Sequence, residues 1–141
     1  MRGTAALVAL AALGVGGPSF AAWEVLRQSD SVSLSIDAAS IKRSGNNVSF
    51  QYLVDYARNQ TDFKAGIAYR SLVVKAQVRC KARMIALGNT DLYSHPGGGG
   101  VNIGTAFADR VESSYHRVEP ASSDEELLRR ACTGKAAPAK K

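Results

Sequence analysis

The chain has 141 residues, of which 45% are hydrophobic and 21% are charged, and this length and composition fit one globular domain. The length excludes two full domains, and the sequence contains no internal repeat. The formal net charge of +6 favours anionic partners such as polysaccharides, lipid head groups or nucleic acids, but it does not select among them.

The first 21 residues have the pattern of a secretory signal peptide. Arg2 precedes an apolar run at 5–15, which is followed by helix breakers and by a small-x-small motif at 19–21. The run is shorter than the about 20 residues that a membrane-spanning helix needs, and so is every later apolar segment. We therefore expect cleavage between Ala21 and Ala22, export to the periplasm or cell surface, and no transmembrane segment. No cysteine lies near this site, so we expect no lipid anchor; a retained N-terminal anchor is the alternative to cleavage.

The next part of the chain is predicted to form antiparallel strands. Residues 23–29 can form a first strand, and apolar residues alternate with polar ones at 32–36 and again at 48–56, which is typical of half-buried strands. The turn sequence RSGNN at 43–47 predicts a hairpin. The aromatic side chains of the later strand follow the same alternation, so we expect them in the core rather than stacked on bases or sugars: Phe50, Tyr52 and Tyr56.

One of the two cysteines lies in the segment SLVVKAQVRCKARM at 71–84. Its even-numbered residues are all apolar, and its odd-numbered residues are mostly basic or polar. This pattern predicts a long strand with one buried face, and that face includes Cys80. A buried thiol is poorly accessible, so Cys80 is predicted to be structural rather than reactive.

The other cysteine ends the segment SSDEELLRRAC, which is predicted to be a helix. Ser122 and Ser123 each precede a glutamate by three residues, which is the spacing of a capping box. Helical spacing gives one apolar face and two i,i+4 ion pairs on the other side. The apolar face carries Leu127, Leu128, Ala131 and Cys132, and the pairs are Glu125 with Arg129 and Glu126 with Arg130.

Export determines how the two cysteines are interpreted. In an oxidising compartment, two cysteines that face the core of a small domain most often pair with each other. We therefore expect a disulfide between Cys80 and Cys132, which joins the helix to the sheet, and two free thiols are the alternative.

The remaining segments carry weaker patterns. Residues 58–66 are expected to be a polar connection, 84–87 and 91–94 to pair with each other as short strands, and 113–118 to form another strand. The basic, proline-containing end at 133–141 is predicted to be a disordered tail. The fold class predicted for residues 22–132 is therefore α+β, with an antiparallel sheet of about six strands covered by one C-terminal helix.

Four basic residues alternate with the apolar residues of segment 71–84: Lys75, Arg79, Lys81 and Arg83. In a regular strand they project from one sheet face, about 6.6 Å apart for every two residues. One interpretation is a solvated face that keeps the sheet soluble. The other is a cationic stripe that, together with the lysine-rich tail, binds an acidic partner such as a sulfated glycan.

No motif in the sequence specifies a reaction. The segment HPGGGG at 95–100 lacks the Gly-Lys-Ser/Thr of a phosphate-binding loop, so we expect a flexible surface loop. His95 and His116 are candidates for the acid–base pair of a basic nuclease or hydrolase, but histidines this far apart in sequence are more often surface residues. The cysteines and histidines also lack the spacing of a metal site. We therefore expect no catalytic residues, no metal, no cofactor and no nucleic-acid partner.

Four segments, taken in order, resemble the surface-adhesin protein E family of Gram-negative bacteria: WEVL, SIDAASIKRSGNNVSFQYLVDY, AYRSLVVKAQVRCKARM and YHRVEPASSDEELLRRAC. The resemblance covers nearly all of residues 23–132. It implies an antiparallel sheet with a C-terminal helix joined to it by a disulfide. It also implies host adhesion, with matrix proteins, plasma proteins or anionic glycans as partners.

Three function classes follow from these observations. The first is a non-enzymatic, adhesin-like binding module, the second is a periplasmic structural or assembly accessory, and the third is a small basic hydrolase or nuclease. The sequence leaves the oligomeric state open, and a dimer is compatible with it.

Overall fold

The computed structural model of the protein describes residues 22–62, 66–108 and 114–134. The predicted signal peptide lies outside these residues, as does the predicted tail except for its first two positions. Of these two, Thr133 is the last residue of the helix, and Gly134 is its left-handed cap residue.

Within the described residues, the chain forms eight strands and one α-helix. They are β1 (Trp23–Gln28), β2 (Val32–Asp37), β3 (Lys42–Ser44), β4 (Asn47–Asp62), β5 (Ile67–Arg79), β6 (Met84–His95), β7 (Gly99–Ala106), β8 (His116–Arg117) and α1 (Ser123–Thr133). The longer strands lie in the order β1-β2-β4-β5-β6-β7, β3 pairs with β4, and β8 pairs with β6. All of these pairs are antiparallel. The predicted fold class is confirmed.

The hydrophobic core lies between one face of this sheet and α1. Its members alternate along the strands with polar residues, and the apolar stripe of α1 packs against them, as the sequence periods predict. Leu127, Leu128 and Ala131 of the helix are at most 4% exposed. The buried strand residues of this core are Leu34, Ile36, Val48, Phe50, Tyr52, Val74, Ala76, Val78 and Ile85. We call the opposite side of the sheet the open face.

The predicted disulfide is confirmed. Cys80 directly follows β5, Cys132 lies in the last turn of α1, and their Cα atoms are 5.8 Å apart. The bond therefore joins the helix to one end of the sheet.

The helix begins close to the predicted site. The Ser122 hydroxyl accepts a hydrogen bond from the Glu125 backbone N–H at 3.2 Å, so Ser122 is the N-cap. The Glu125 carboxylate reaches back to the N–H of Ala121, at 2.7 Å, rather than to that of Ser122. The Ser122 hydroxyl thus satisfies an N–H group that the first helical turn leaves without a partner, and the Glu125 carboxylate satisfies that of the residue before the cap.

Two predicted segment assignments are wrong because the strands there are longer than their local patterns indicate, and a third segment forms a shorter strand than predicted. Residues 84–87 and 91–94 do not pair with each other; both belong to β6 and pair with β5. The register shifts between them, which produces a bulge at Gly88 and Asn89 in place of the turn that these residues suggest. Similarly, residues 58–62 of the expected polar connection at 58–66 are strand, since β4 continues to Asp62 after a register shift, and residues 63–65 lie outside the described residues. The expected strand at 113–118 is shorter than predicted, because only His116 and Arg117 pair with β6; residue 113 lies outside the described residues.

Part of the glycine-rich segment, which was expected to be a flexible surface loop, forms a hydrogen-bonded 3-10 turn. A 3-10 turn at Pro96–Gly98 joins β6 to β7 and lies over the open face, where it buries Ser71 completely. The Gly98 N–H donates to the Ser71 hydroxyl at 3.0 Å, and that hydroxyl donates to the His95 carbonyl at 2.6 Å. Gly98 has a φ of +69°, and a Cβ there would lie 3.0 Å from a Val73 methyl group. The glycine is therefore required both by the backbone conformation and by the close packing.

Candidate binding site on the open face

The predicted cationic stripe does not form as a regular strand. β5 ends at Arg79, so Lys81 and Arg83 lie in the turn that joins β5 to β6. Arg83 has a φ of +52° and places its Nη2 atom 3.0 Å from the Glu125 carboxylate of α1. Arg79 lies on the open face, with its guanidinium carbon 3.9 Å from the centre of the Tyr115 ring. The four basic residues therefore do not project together from one sheet face, and the binding role predicted for them stays a prediction.

Lys75 belongs instead to a compact block of polar side chains at the middle of the open face. The β4–β5 register places Ser49 directly opposite Gln77 and Gln51 directly opposite Lys75. Directly opposed residues in an antiparallel pair have Cβ atoms about 5 Å apart, so the four side chains are immediate neighbours. They point away from α1 because they alternate with core residues.

This block forms part of a cleft with a volume of about 520 Å³. One side of the cleft is formed by the 3-10 turn at Ala38–Ser40 and by Lys42 of β3, and the other by the β6 bulge. The lining residues are Asp37, Ala39, Ser40, Lys42, Ser49, Phe50, Gln51, Lys75, Ala76, Gln77, Gly88 and Asn89.

Hydrogen bonds hold the 3-10 turn in place beside the sheet. The Asp37 carboxylate accepts from the Ala39 N–H at 3.1 Å and thereby caps the turn. The Ser40 hydroxyl donates to the Asp37 carbonyl at 2.7 Å and accepts from the Gln51 N–H of β4 at 2.8 Å. The turn is thus tied to the neighbouring strand, and this side of the cleft is preformed.

The bulge on the other side approaches β5 closely. A Cβ at Gly88 would lie 3.0 Å from the Lys75 carbonyl oxygen, so a larger residue at this position requires a shift of the bulge. Asn89 follows Gly88, and its side-chain oxygen accepts from the Ala108 N–H at 3.0 Å. This bond leaves the amide N–H₂ of Asn89 as the group that can donate elsewhere.

The charge of the cleft is positive. Lys42 and Lys75 are both exposed, and among the described residues neither forms an ion pair. The one carboxylate of the lining, Asp37, is 8% exposed and caps the 3-10 turn. A negatively charged group in the cleft therefore meets two available ammonium groups.

An aromatic residue lies at one end of the polar block. The Tyr115 hydroxyl donates to the Gln77 side-chain oxygen at 3.2 Å, and the Tyr115 ring lies under the Arg79 guanidinium. The hydrogen bond fixes the orientation of the Gln77 amide, so its N–H₂ group is the remaining donor.

Of the residues that line this site, the sequence predicted only Lys75 as a binding residue, because the other residues come from distant segments that share no motif.

The two histidines do not form a catalytic pair. His116 lies opposite Ile85 near the start of β6, whereas His95 is the last residue of the same strand, about 30 Å further along it. The His116 Nε2 atom is 3.0 Å from the Asp124 carboxylate, and the His95 Nδ1 atom is 2.8 Å from the Ser94 hydroxyl. Within the described residues, no group of three or more histidine, cysteine or acidic side chains is placed to hold a metal.

Tyr52 and Glu24 are among the ionisable groups on the helix side that have shifted pKa values. Burial raises the pKa of Tyr52 to about 12, and the nearby Asp124 carboxylate acts in the same direction. Hydrogen bonds from Arg130 lower the pKa of Glu24, and this effect exceeds the opposing effect of burial. Both groups affect the stability of the fold. They lie away from the cleft, which is on the other side of the sheet.

These features define a class of protein in which an antiparallel sheet is tethered to one C-terminal helix by a disulfide and keeps a polar open face. The family model for Surface-adhesin protein E matches residues 23–133, so the chain belongs to this family. A search of curated protein sequences gives no significant match.

Solved structures of protein E from Haemophilus influenzae share the fold. One is 18% identical, with a TM-score of 0.57 over 78% of this chain and 84% of that chain. A second crystal form is also 18% identical, with a TM-score of 0.56 over 72% of this chain and 80% of the other. Among the described residues, no helix is long and apolar enough to cross a membrane.

Proposed function

We propose that this protein is a non-enzymatic, adhesin-like binding module that is exported to the cell envelope and contacts macromolecules through the open face of its sheet. The partners that we propose are host matrix or plasma proteins, or anionic glycans. Membership of the Surface-adhesin protein E family supports the adhesin-like class.

The observation that carries the binding role is the asymmetry of the sheet. One face is covered by α1 and holds the main core, whereas the other keeps a 520 Å³ cleft between a hydrogen-bonded turn and a bulge. The disulfide fixes the helix on the covered face, so the helix does not compete for the open one. A domain that is cross-linked by a disulfide and has one accessible polar face is suited to binding outside the cytoplasm.

A blocking variant tests whether the open face binds. Ser49→Trp places a large ring in the cleft, whereas Ala82→Trp adds the same ring at an exposed position in the β5–β6 turn. We expect Ser49→Trp to reduce binding of the purified domain to heparin and to immobilised matrix and plasma proteins, and Ala82→Trp to leave it unchanged. Equal binding by both variants and the unmodified protein contradicts the role of this face.

Protease treatment of intact cells tests the location. Removal of the protein from intact cells is expected for a surface adhesin. Release only by osmotic shock favours the periplasmic accessory, and that result together with no macromolecular binding overturns the proposed function.

A further inference from the structure

The geometry points to a specific ligand for the open-face cleft. We propose that it binds one acidic sugar unit, whose carboxylate or sulfate lies between Lys42 and Lys75 and whose hydroxyl groups contact the side chains of Gln51, Gln77 and Asn89. The inference rests on the proposed binding function and specifies its ligand and its site.

The two lysines are placed to bind the negatively charged group of the ligand. Lys42 comes from β3 and Lys75 from β5, and both line the same cleft although β4 separates their strands. Among the described residues, neither is neutralised by an ion pair. Two lysines that line one cavity favour a ligand with a localised negative charge, because a neutral ligand leaves both charges uncompensated as it displaces water.

The amide side chains are placed to bind the uncharged hydroxyl groups of the ligand. Gln77 and Asn89 each use the side-chain oxygen within the protein, through Tyr115 and the Ala108 N–H respectively, so each presents its N–H₂ group as a donor. Gln51 lies directly opposite Lys75 and adds a further amide. Sugar hydroxyls both donate and accept hydrogen bonds, so they can replace the water that these groups lose, whereas an apolar ligand cannot.

The size and rigidity of the cleft favour a single small unit. Its volume of about 520 Å³ falls within the roughly 300–1,000 Å³ of small-molecule sites. The Ser40 hydrogen bonds hold the turn on one side, so little ordering is needed when a ligand binds. The cleft is open to solvent, and one unit within a longer acidic glycan can therefore occupy it while the rest of the chain lies outside.

Titration of the purified domain with defined saccharides, followed by nuclear magnetic resonance, tests this assignment. The probes are 3′-sialyllactose and a hyaluronan tetrasaccharide for carboxylates, a heparin-derived disaccharide for sulfates, and lactose as the neutral control. We expect at least one acidic probe to bind and to shift resonances of the cleft residues, while lactose does not bind.

Variants separate the cleft from general charge attraction. Lys42→Met and Lys75→Met are each expected to weaken binding about tenfold, because each removes a charged hydrogen bond. Arg58→Met removes the same charge from an exposed position of β4 away from the cleft, and we expect less than about a twofold change. Gln51→Leu keeps the net charge and is expected to weaken binding several-fold, and melting curves of each variant check that it is folded.

Two results overturn the assignment: no acidic probe binds, or Arg58→Met weakens binding as much as Lys75→Met. If the domain still binds matrix or plasma proteins in either case, the proposed function stands and only the sugar site is wrong. If the saccharide binds as expected but the protein neither reaches the cell surface nor binds macromolecules, the site stands and the proposed function is wrong.

Discussion

Cys80 and Cys132 are joined across the end of the sheet, and the backbone around both is anchored to the β3–β4 hairpin. The Cys80 N–H donates to the Asn46 carbonyl at 3.0 Å, and Arg43 donates to the Cys132 carbonyl at 2.6 Å. The bond spans 52 positions of sequence. Closing a loop of that length restricts the unfolded chain and stabilises the fold by about 4 kcal/mol in the chain-entropy account.

Cys80→Ala and Cys132→Ala are therefore each expected to lower the free energy of unfolding by about 2–5 kcal/mol. The double variant is expected to lose no more than either single variant, because the same bond is broken in all three. Denaturant titration of the three variants measures this. Losses that add up in the double variant, or two titratable thiols in the native protein, contradict the prediction.

The contact between Arg79 and Tyr115 predicts unequal effects for basic residues that look alike in the sequence. Arg79→Gln removes a guanidinium that lies over an aromatic ring, and this is expected to cost about 0.5–1 kcal/mol of stability. Lys81→Gln, at an exposed position in the β5–β6 turn, is expected to change the melting temperature very little. Thermal unfolding of the two variants tests the difference, and equal melting temperatures would show that the Arg79 contact does not contribute.

Local patterns predicted the elements whose causes are local. The helix follows from its Ser122 cap and its apolar spacing, and the alternation at 71–79 correctly gives the two faces of β5. The end of β5 was not predictable in the same way. Apolar residues continue at Ala82 and Met84, and no glycine, proline or asparagine marks the turn at 80–83. The turn forms there with Arg83 at positive φ, and the Arg83 N–H donates to the Cys80 carbonyl at 3.3 Å.

Long-range contacts also override a local charge pattern in α1. The i,i+4 pair between Glu125 and Arg129 is present, at 3.8 Å, but Arg130 does not pair with Glu126 as predicted. It binds Glu24 instead, which is 106 positions away in the sequence. The cleft was missed for a similar reason, since its residues meet only when β3, β4, β5 and β6 have paired.

The Glu24–Arg130 pair predicts a change of stability in acid. The Arg130 Nε and Nη2 atoms donate to the Glu24 carboxylate at 3.0 Å, and these bonds lower its pKa below 4.5. The pair therefore stabilises the fold above about pH 4.5, and this contribution is lost as the pH falls through the lowered folded-state pKa. Because the Glu24 side chain is partly exposed, we expect only about 0.5–1 kcal/mol.

Unfolding of the unmodified protein and of Glu24→Gln, measured from neutral pH down into acid, tests this pair. The variant is expected to be less stable at neutral pH, and the difference is expected to disappear at the lowest pH. Glu119→Gln, at an exposed position before α1, is the control. A difference that does not depend on pH would show that the Glu24 charge is not involved.

Tyr52 predicts a second change of stability, in alkali. Its ring is buried beneath α1, and burial raises its pKa from 10.0 to about 12. Between these pH values the unfolded state loses the Tyr52 proton while the folded state keeps it. The stability contribution is therefore complete below about pH 10 and is lost as the pH rises towards 12. Tyr52→Phe is expected to show a smaller loss of stability over this window, and ultraviolet titration is expected to show one fewer late-titrating tyrosine. An unchanged titration curve contradicts the assignment.

The start of β1 constrains where the exported chain can be cut. Trp23 pairs with Asp37, and Glu24 is bonded to Arg130, so the strand is needed from residue 23 onward. Cleavage between Ala21 and Ala22 leaves this strand intact and removes the whole apolar leader, which is why we expect a mature N-terminus at Ala22. Intact mass of the protein from the envelope fraction measures the cut. Ala21→Arg replaces the small residue at the cleavage site and is expected to leave the leader attached, whereas a cut beyond Trp23 or a mature protein that still begins at Met1 contradicts the prediction.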